Sequence, residues 1–195
     1  MARTQCLTTL CAIVLVLSSL PSHCIAQNNA EKPHGPNPAS IYSLWPNWPK
    51  ARAEDVQSPQ NLVKTYFEIL SGSAKSERDW DRFRSLFLPD GRFVAVKTWN
   101  SDPHLIPDVE DTQKMIERLS ANLRKADLEE RPLEIQVREF ADFVQISVTS
   151  ETHIRNSNGD LSSRFAHSFE LLKDADRYWI IEVSSEMVPN SFRPQ

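Results

Sequence analysis

Beyond residue 26 the chain has no cysteine. All three, Cys6, Cys11 and Cys24, lie in the first stretch. A mature chain cut after that stretch would have no disulfide, no thiol nucleophile and no cysteine-bound metal. Glycine is scarce as well, four residues in 195. There is no Gly-rich phosphate loop, no serine nucleophile elbow and no His-Glu-x-x-His element, so the sequence calls for no cofactor. Basic runs are missing and the net charge is −4, which argues against a nucleic-acid partner. The longest apolar run, Leu7 to Leu20, has 14 residues, short of the roughly 20 that a membrane span needs.

That run follows a single basic residue, Arg3, and ends in Pro21 and Cys24-Ile25-Ala26. The pattern is that of a signal peptide over residues 1–26, cut after Ala26, and it predicts a secreted or periplasmic protein with no membrane span after cleavage. Residues 27–57 hold Pro33, Pro36, Pro38, Pro46 and Pro49 and show no helical period, so they read as an arm or linker. Two indoles, Trp45 and Trp48, interrupt it. They either dock on the chain's own domain or bind a partner, because indoles are costly to leave in water.

A domain is expected over 58–190. Ser58-Pro59 suits a helix start, and Leu62, Val63, Tyr66, Phe67, Ile69 and Leu70 then fall on one face before Gly72. A second helix is expected from Ser76, with Trp80, Phe83, Leu86 and Phe87 as its apolar stripe and a stop at Pro89 and Asp90-Gly91 that reverses the chain. "RFVAVKTW" alternates as a strand, with Phe93, Ala95 and Trp99 on one face. After Pro103 and Pro107, Asp108 is expected to open a helix carrying Val109, Ile116, Leu119 and Leu123.

From Leu133 the pattern is all strand. Leu133, Ile135 and Val137 alternate, Ala141-Asp142 turns, and Val144, Ile146 and Val148 alternate again, so Val137 should meet Ile146 and Ile135 should meet Val148. Asn158-Gly159 predicts a second hairpin. A two-residue loop there sets Ser150 against His167 and Thr152 against Phe165, and leaves Glu151 and His153 on the opposite face. The last strand, "YWIIEVSSEMV", is apolar on both sides, which points to a second subunit on its outer face.

Segregated helices followed by long antiparallel strands make an α+β fold. The stretches "PQNLVKTYFEILSG", "RDWDRFRSLFLPDGRF" and "FELLKDADRYWIIEV" resemble the nuclear transport factor 2 (NTF2)-like superfamily, which includes SnoaL-like cyclases and ketosteroid isomerases. The second stretch is similar to that of secreted bacterial members of unassigned activity. The resemblance implies a cone: a curved antiparallel sheet wrapped on N-terminal helices, a pocket on its concave face and commonly a homodimer through the outer face. It also implies that a His, Asp or Tyr inside the cone does any acid–base work.

By register the pocket face carries Ser150, Thr152, Phe165, Phe169 and His167. His167 is the candidate general base and Tyr66 its partner, each with a plainer reading as a core side chain. Glu151 and His153 lack a third ligand, so no metal site is expected. No carboxylate is placed inside the cone by this reading. Three functions stay open: a binding or accessory module for a small hydrophobic molecule, a cofactor-free lyase or isomerase, and an interaction module working through the Trp-Pro arm and outer sheet face.

Overall fold

The computed structural model describes residues 41–97, 106–189 and 191. These belong to one compact unit, Pro38–Gln195. The signal-peptide reading of 1–26, the arm from 27 to 40, Trp99 and Pro103 lie outside the described residues, as does the other unit, Met1–Asn37.

The element order is α1 (Ile41–Leu44), α2 (Ala53–Val56), α3 (Pro59–Leu70), α4 (Trp80–Arg84), β1 (Phe87–Lys97), β2 (Ile106–Asp111), α5 (Thr112–Leu123), β3 (Asp127–Phe140), β4 (Phe143–Asn156), β5 (Gly159–Asp174) and β6 (Arg177–Val188). The strands form one curved, unclosed sheet in the order β2-β1-β6-β5-β4-β3. All neighbours are antiparallel except β1 and β6. The inner face of the sheet packs on α3 and α5 around a core built from Leu62, Tyr66, Phe67, Phe83, Met115, Ile146, Phe169 and Val183.

α3 forms as its sequence dictates. The Ser58 hydroxyl accepts from Asn61 N–H, Pro59 opens the first turn, and the apolar stripe is buried. Its C-terminal end is closed by a side chain that the sequence does not single out. Arg78 is buried and donates to the carbonyls of Leu70, Gly72, Ser73 and Ser76 at 2.8–3.0 Å. A guanidinium with five donors satisfies the orphan acceptors there and opposes the negative end of the helix dipole.

Several boundaries differ from the sequence reading, each for a local reason. α4 starts after Asp79, not at Ser76, because the Asp79 carboxylate caps Arg82 N–H while Arg78 is drawn into the carbonyl cage. Pro89-Asp90-Gly91 does not reverse the chain. It lies inside β1, where the pairing to β6 slips between Phe87 and Arg92. A Cβ on Gly91 would stand 3.0 Å from the Leu88 carbonyl and 3.2 Å from that of Ile180, so the close passage of two backbones requires glycine. α5 begins after Asp111 rather than Asp108, since Asp111 caps Lys114 N–H. Val109 belongs to β2, opposite Val94.

The first long hairpin has the expected register near its turn, with Val137 opposite Ile146 and Ile135 opposite Val148. The second is displaced by two residues. Its turn is Ser157-Asn158, so Ser150 faces Phe165, Thr152 faces Ser163, and His167 faces Val148. The Asn156 side chain accepts from Asn158 N–H, and Gly159 follows with φ +116° as the first residue of β5. Neither Ser157 nor Asn158 has the positive φ that a type I′ turn needs at both centres.

The apolar outer side of β6 is covered by the chain's own N-terminal segment. Trp179 is fully buried, with the Arg177 guanidinium 3.3 Å above its ring and Tyr42 of α1 5.1 Å from it. Arg177 also donates to Tyr42 Oη and to the Ser85 carbonyl. Burial pushes that guanidinium down to about 10, opposed by nearby Tyr42 and Asp174. Trp48 donates its indole N–H to Phe87 O at 3.0 Å, and Asp55 of α2 is buried against Arg82. Trp48 thus docks on the chain's own domain.

Candidate functional site in the cone

β4 and β5 set inward-facing side chains at every second position, and the displaced hairpin preserves this parity because the displacement is two residues. Ser150, Thr152, Phe165, His167 and Phe169 therefore share the inner face as the sequence predicts, although their neighbours across the strands differ. His167 and Ser150 meet diagonally. Ser150 Oγ lies 2.9 Å from His167 Nε2.

The group missing from the sequence reading is Glu130. Counting back from Val137 opposite Ile146 without a break would pair Glu130 with His153 on the outer face. A bulge between Pro132 and Glu134 instead pairs Glu130 with Thr152 and leaves Leu133 exposed. The extra residue turns Glu130 and Leu128 inward. Pro132 was the available signal, because a proline inside a strand run marks an edge or a bulge. The cone does hold a carboxylate, contrary to the expectation that none would be found.

Ser150 Oγ donates to Glu130 Oε1 at 2.9 Å, and His167 Nε2 lies 3.3 Å from the same oxygen. Both the His167 and Glu130 side chains are deeply buried, at 5% and 11% exposure. Serine has one proton. When it goes to Glu130, Ser150 accepts from Nε2–H, and the neutral ring keeps Nδ1 as a bare acceptor. His167 Nδ1 and Thr152 Oγ1 are buried without a hydrogen-bond partner among the described residues.

Aromatic rings enclose the cluster. Phe67 meets His167 edge-on at 5.3 Å, Phe165 stacks on it at 6.0 Å, and Phe169 lies 6.2 Å away. Tyr66 packs against Phe169, Phe83 and Phe67 at 5.1–5.3 Å. Its phenol is pushed far above the ordinary range by burial first, then by the Glu130 charge, with Arg118 opposing. Tyr66 can donate a hydrogen bond, but it is not a base near neutral pH. Half-buried Phe93, Leu119, Ile135 and Val137 pack against the core, and Arg118 lies 5.4 Å over the Phe93 ring, held by Glu110. The inner surface thus combines an apolar wall with a polar base.

The outer face has its own relief. A trough of about 360 Å³ runs over Ser147, Thr149, Ala166, Ser168 and Ser184, with Glu134, Arg138 and Glu186 at its sides. Glu151 and His153 remain on that outer side of the sheet, as expected. Among the described residues no cluster of three His, Cys, Asp or Glu side chains is placed to hold a metal, and no helix is long and apolar enough to cross a membrane.

No family model matches this sequence, and no curated protein matches it. Solved structures do. A protein from Exiguobacterium sibiricum, described as a Ca/calmodulin-dependent kinase II association domain, superposes with a TM-score of 0.52 at 10% identity, covering 68% of this chain and 92% of its own. An uncharacterised protein with a cystatin-like fold from Caulobacter vibrioides gives 0.51 at 17% identity, covering 67% and 87%. The chain has an NTF2-like fold. The beta subunit of the benzoate 1,2-dioxygenase from Burkholderia mallei shares it, with a TM-score of 0.50, 10% identity and coverage of 69% and 91%. Identities this low speak for the NTF2-like fold and leave activity to the site.

Proposed function

We propose that this NTF2-like domain binds a small molecule with an apolar body and one polar group, using the inner face of its cone. The carrying observation is the Glu130–Ser150–His167 cluster beneath an aromatic wall, with His167 Nδ1 left unpartnered. Leaving a buried polar atom unpaired costs about 1–3 kcal/mol, a cost that a ligand hydroxyl given to Nδ1 would remove. The leader-like first 26 residues support placing the protein outside the cytoplasm, secreted or periplasmic.

The test is titration with 2-naphthol, which has an apolar body and one hydroxyl, followed by the imidazole NMR signals of His167. Binding should shift the His167 signals and be lost in His167→Ala. Absence of any shift, or binding that survives the substitution, would reject the cone site.

The Glu130–His167 proximity favours a second reading, a cofactor-free lyase or isomerase. In it His167 Nδ1 takes a proton from substrate carbon, Glu130 balances the imidazolium, and Tyr66 donates a hydrogen bond to the developing oxyanion. The outer trough supports a homodimer, because small side chains let two sheets approach closely while Arg138 and the acidic Glu134 and Glu186 flank the contact. Ala166→Arg would fill the trough. Light scattering should report a dimer for the wild type and a monomer for the variant.

A further inference from the structure

Glu151 and His153, which stand two apart on the outer face of β4, acquire a third member from β5. The register pairs His153 with Ser162, and Ser162 Oγ lies 2.7 Å from His153 Nδ1. On the other side of the ring, Nε2 lies 3.4 Å from Glu151 Oε2. Arg131, opposite Glu151 on β3, holds that same oxygen at 2.7 Å. The arrangement opens on a cleft of about 620 Å³ that includes His153, Ser162, Arg155, Ile154 and Leu161.

We infer that Ser162, His153 and Glu151 form a second site, a serine nucleophile acting on acyl esters, separate from the cone. The chemistry follows from the order of contacts. Glu151 faces Nε2 and keeps the ring proton there. Nδ1 is then the free base that faces the Ser162 hydroxyl. Arg131, and secondarily His153, hold the Glu151 carboxyl below its usual range, so it is a carboxylate at neutral pH.

The ring nitrogens are used in the reverse of the more familiar order, which leaves the proton transfer unchanged. Ser162 Oγ bonds to the acyl carbon as its proton passes to Nδ1. The ester C–O bond breaks and the leaving alcohol takes that proton. Water then adds to the acyl-serine, its proton passing through Nδ1 to Ser162 Oγ, and the carboxylic acid departs. Ile154 and Leu161, paired with each other, take the opposite face of the sheet from His153 and Ser162, so the nucleophile is bordered mainly by polar side chains and suits short acyl groups. Arg131 donates to Glu151 and Arg155 pairs with Asp160 through Nε; both guanidinium groups line the cleft with Ser162, and the oxyanion role is assigned to the terminal nitrogens of Arg155.

A fluorophosphonate probe and p-nitrophenyl butyrate test this on the full chain. The probe should add to the peptide containing Ser162, and both labelling and hydrolysis should disappear in Ser162→Ala. In His153→Gln they should fall on the order of 100-fold, the usual size of a general-base contribution. Glu151→Gln, a positioning change, should lower kcat with KM held. Ser162 and His153 are at the surface, and circular dichroism will show that their variants fold. An unlabelled Ser162, or hydrolysis that is equal in Ser162→Ala, would overturn the site and leave the cone reading untouched.

Discussion

Glu130 Oε1 stands 3.3 Å from His167 Nε2, with Ser150 Oγ bridging the two. The contact joins β3 to β5 across β4, and it exists because one extra residue in β3 turns Glu130 from the solvent to the cone. Glu130→Gln separates charge from shape. The amide oxygen still accepts from Ser150, so stability should change by no more than about 1 kcal/mol. Binding of 2-naphthol should weaken about 10-fold, because the carboxylate that supports His167 is gone. Naphthalene, which lacks the hydroxyl, should bind both proteins equally. Equal loss for both ligands would make Glu130 a packing residue only.

The inner face was readable from alternation alone, since parity survives a register error of two residues. Ser150, Thr152, Phe165, His167 and Phe169 therefore share one face of the sheet in either register, whereas the turn at Ser157-Asn158 depends on the register itself. Glu130 was not readable in this way, because a bulge changes parity. Helix starts were missed where an aspartate later in the segment, Asp79 or Asp111, supplied the cap. The cover over Trp179 by Tyr42 joins residues 137 apart in sequence, a pairing no local pattern encodes.

Arg78 should be among the costliest polar residues to remove. Four carbonyls depend on its guanidinium, and hydrogen bonds to a charged group contribute about 1.5–3 kcal/mol. Arg78→Ala should destabilise by about 3 kcal/mol in urea unfolding. Arg78→Lys should recover little of this, because one ammonium cannot span the same acceptors. Full recovery by lysine would mean that the charge matters and the fork does not.

Asp55 gives a pH signature. Hydrogen bonds from Arg82 hold its carboxyl below the ordinary value of 3.8, against the opposing effect of burial, with help from Thr65. The folded state therefore binds this proton less readily than the unfolded chain. Its stabilisation is fully present above the unfolded value and is lost as pH falls through the folded one. Asp55→Asn should cost about 2 kcal/mol at pH 7, where a buried pair is broken, and the gap from wild type should close below pH 3.8. A gap that persists unchanged at pH 2.5 would show that packing, and not the ion pair, holds α2 in place.

Two alanines sit where glycine would be easier. Ala141 and Ala175 each have φ +56° at the first centre of a two-residue turn, each followed by an aspartate. An L side chain in that region pays about 1–2 kcal/mol, because Cβ crowds the following carbonyl. Glycine removes the crowding but adds freedom to the unfolded chain, which returns part of the gain. The balance favours Ala141→Gly and Ala175→Gly by about 1 kcal/mol each. The two turns are neighbours at one end of the sheet, where Lys173 N–H donates to the Asp142 carbonyl at 2.7 Å, so any shortfall of the double variant from the sum measures their coupling. Urea midpoints should rise with unchanged slope. A falling midpoint would show that the alanine methyl groups make contacts worth more than the strain they impose.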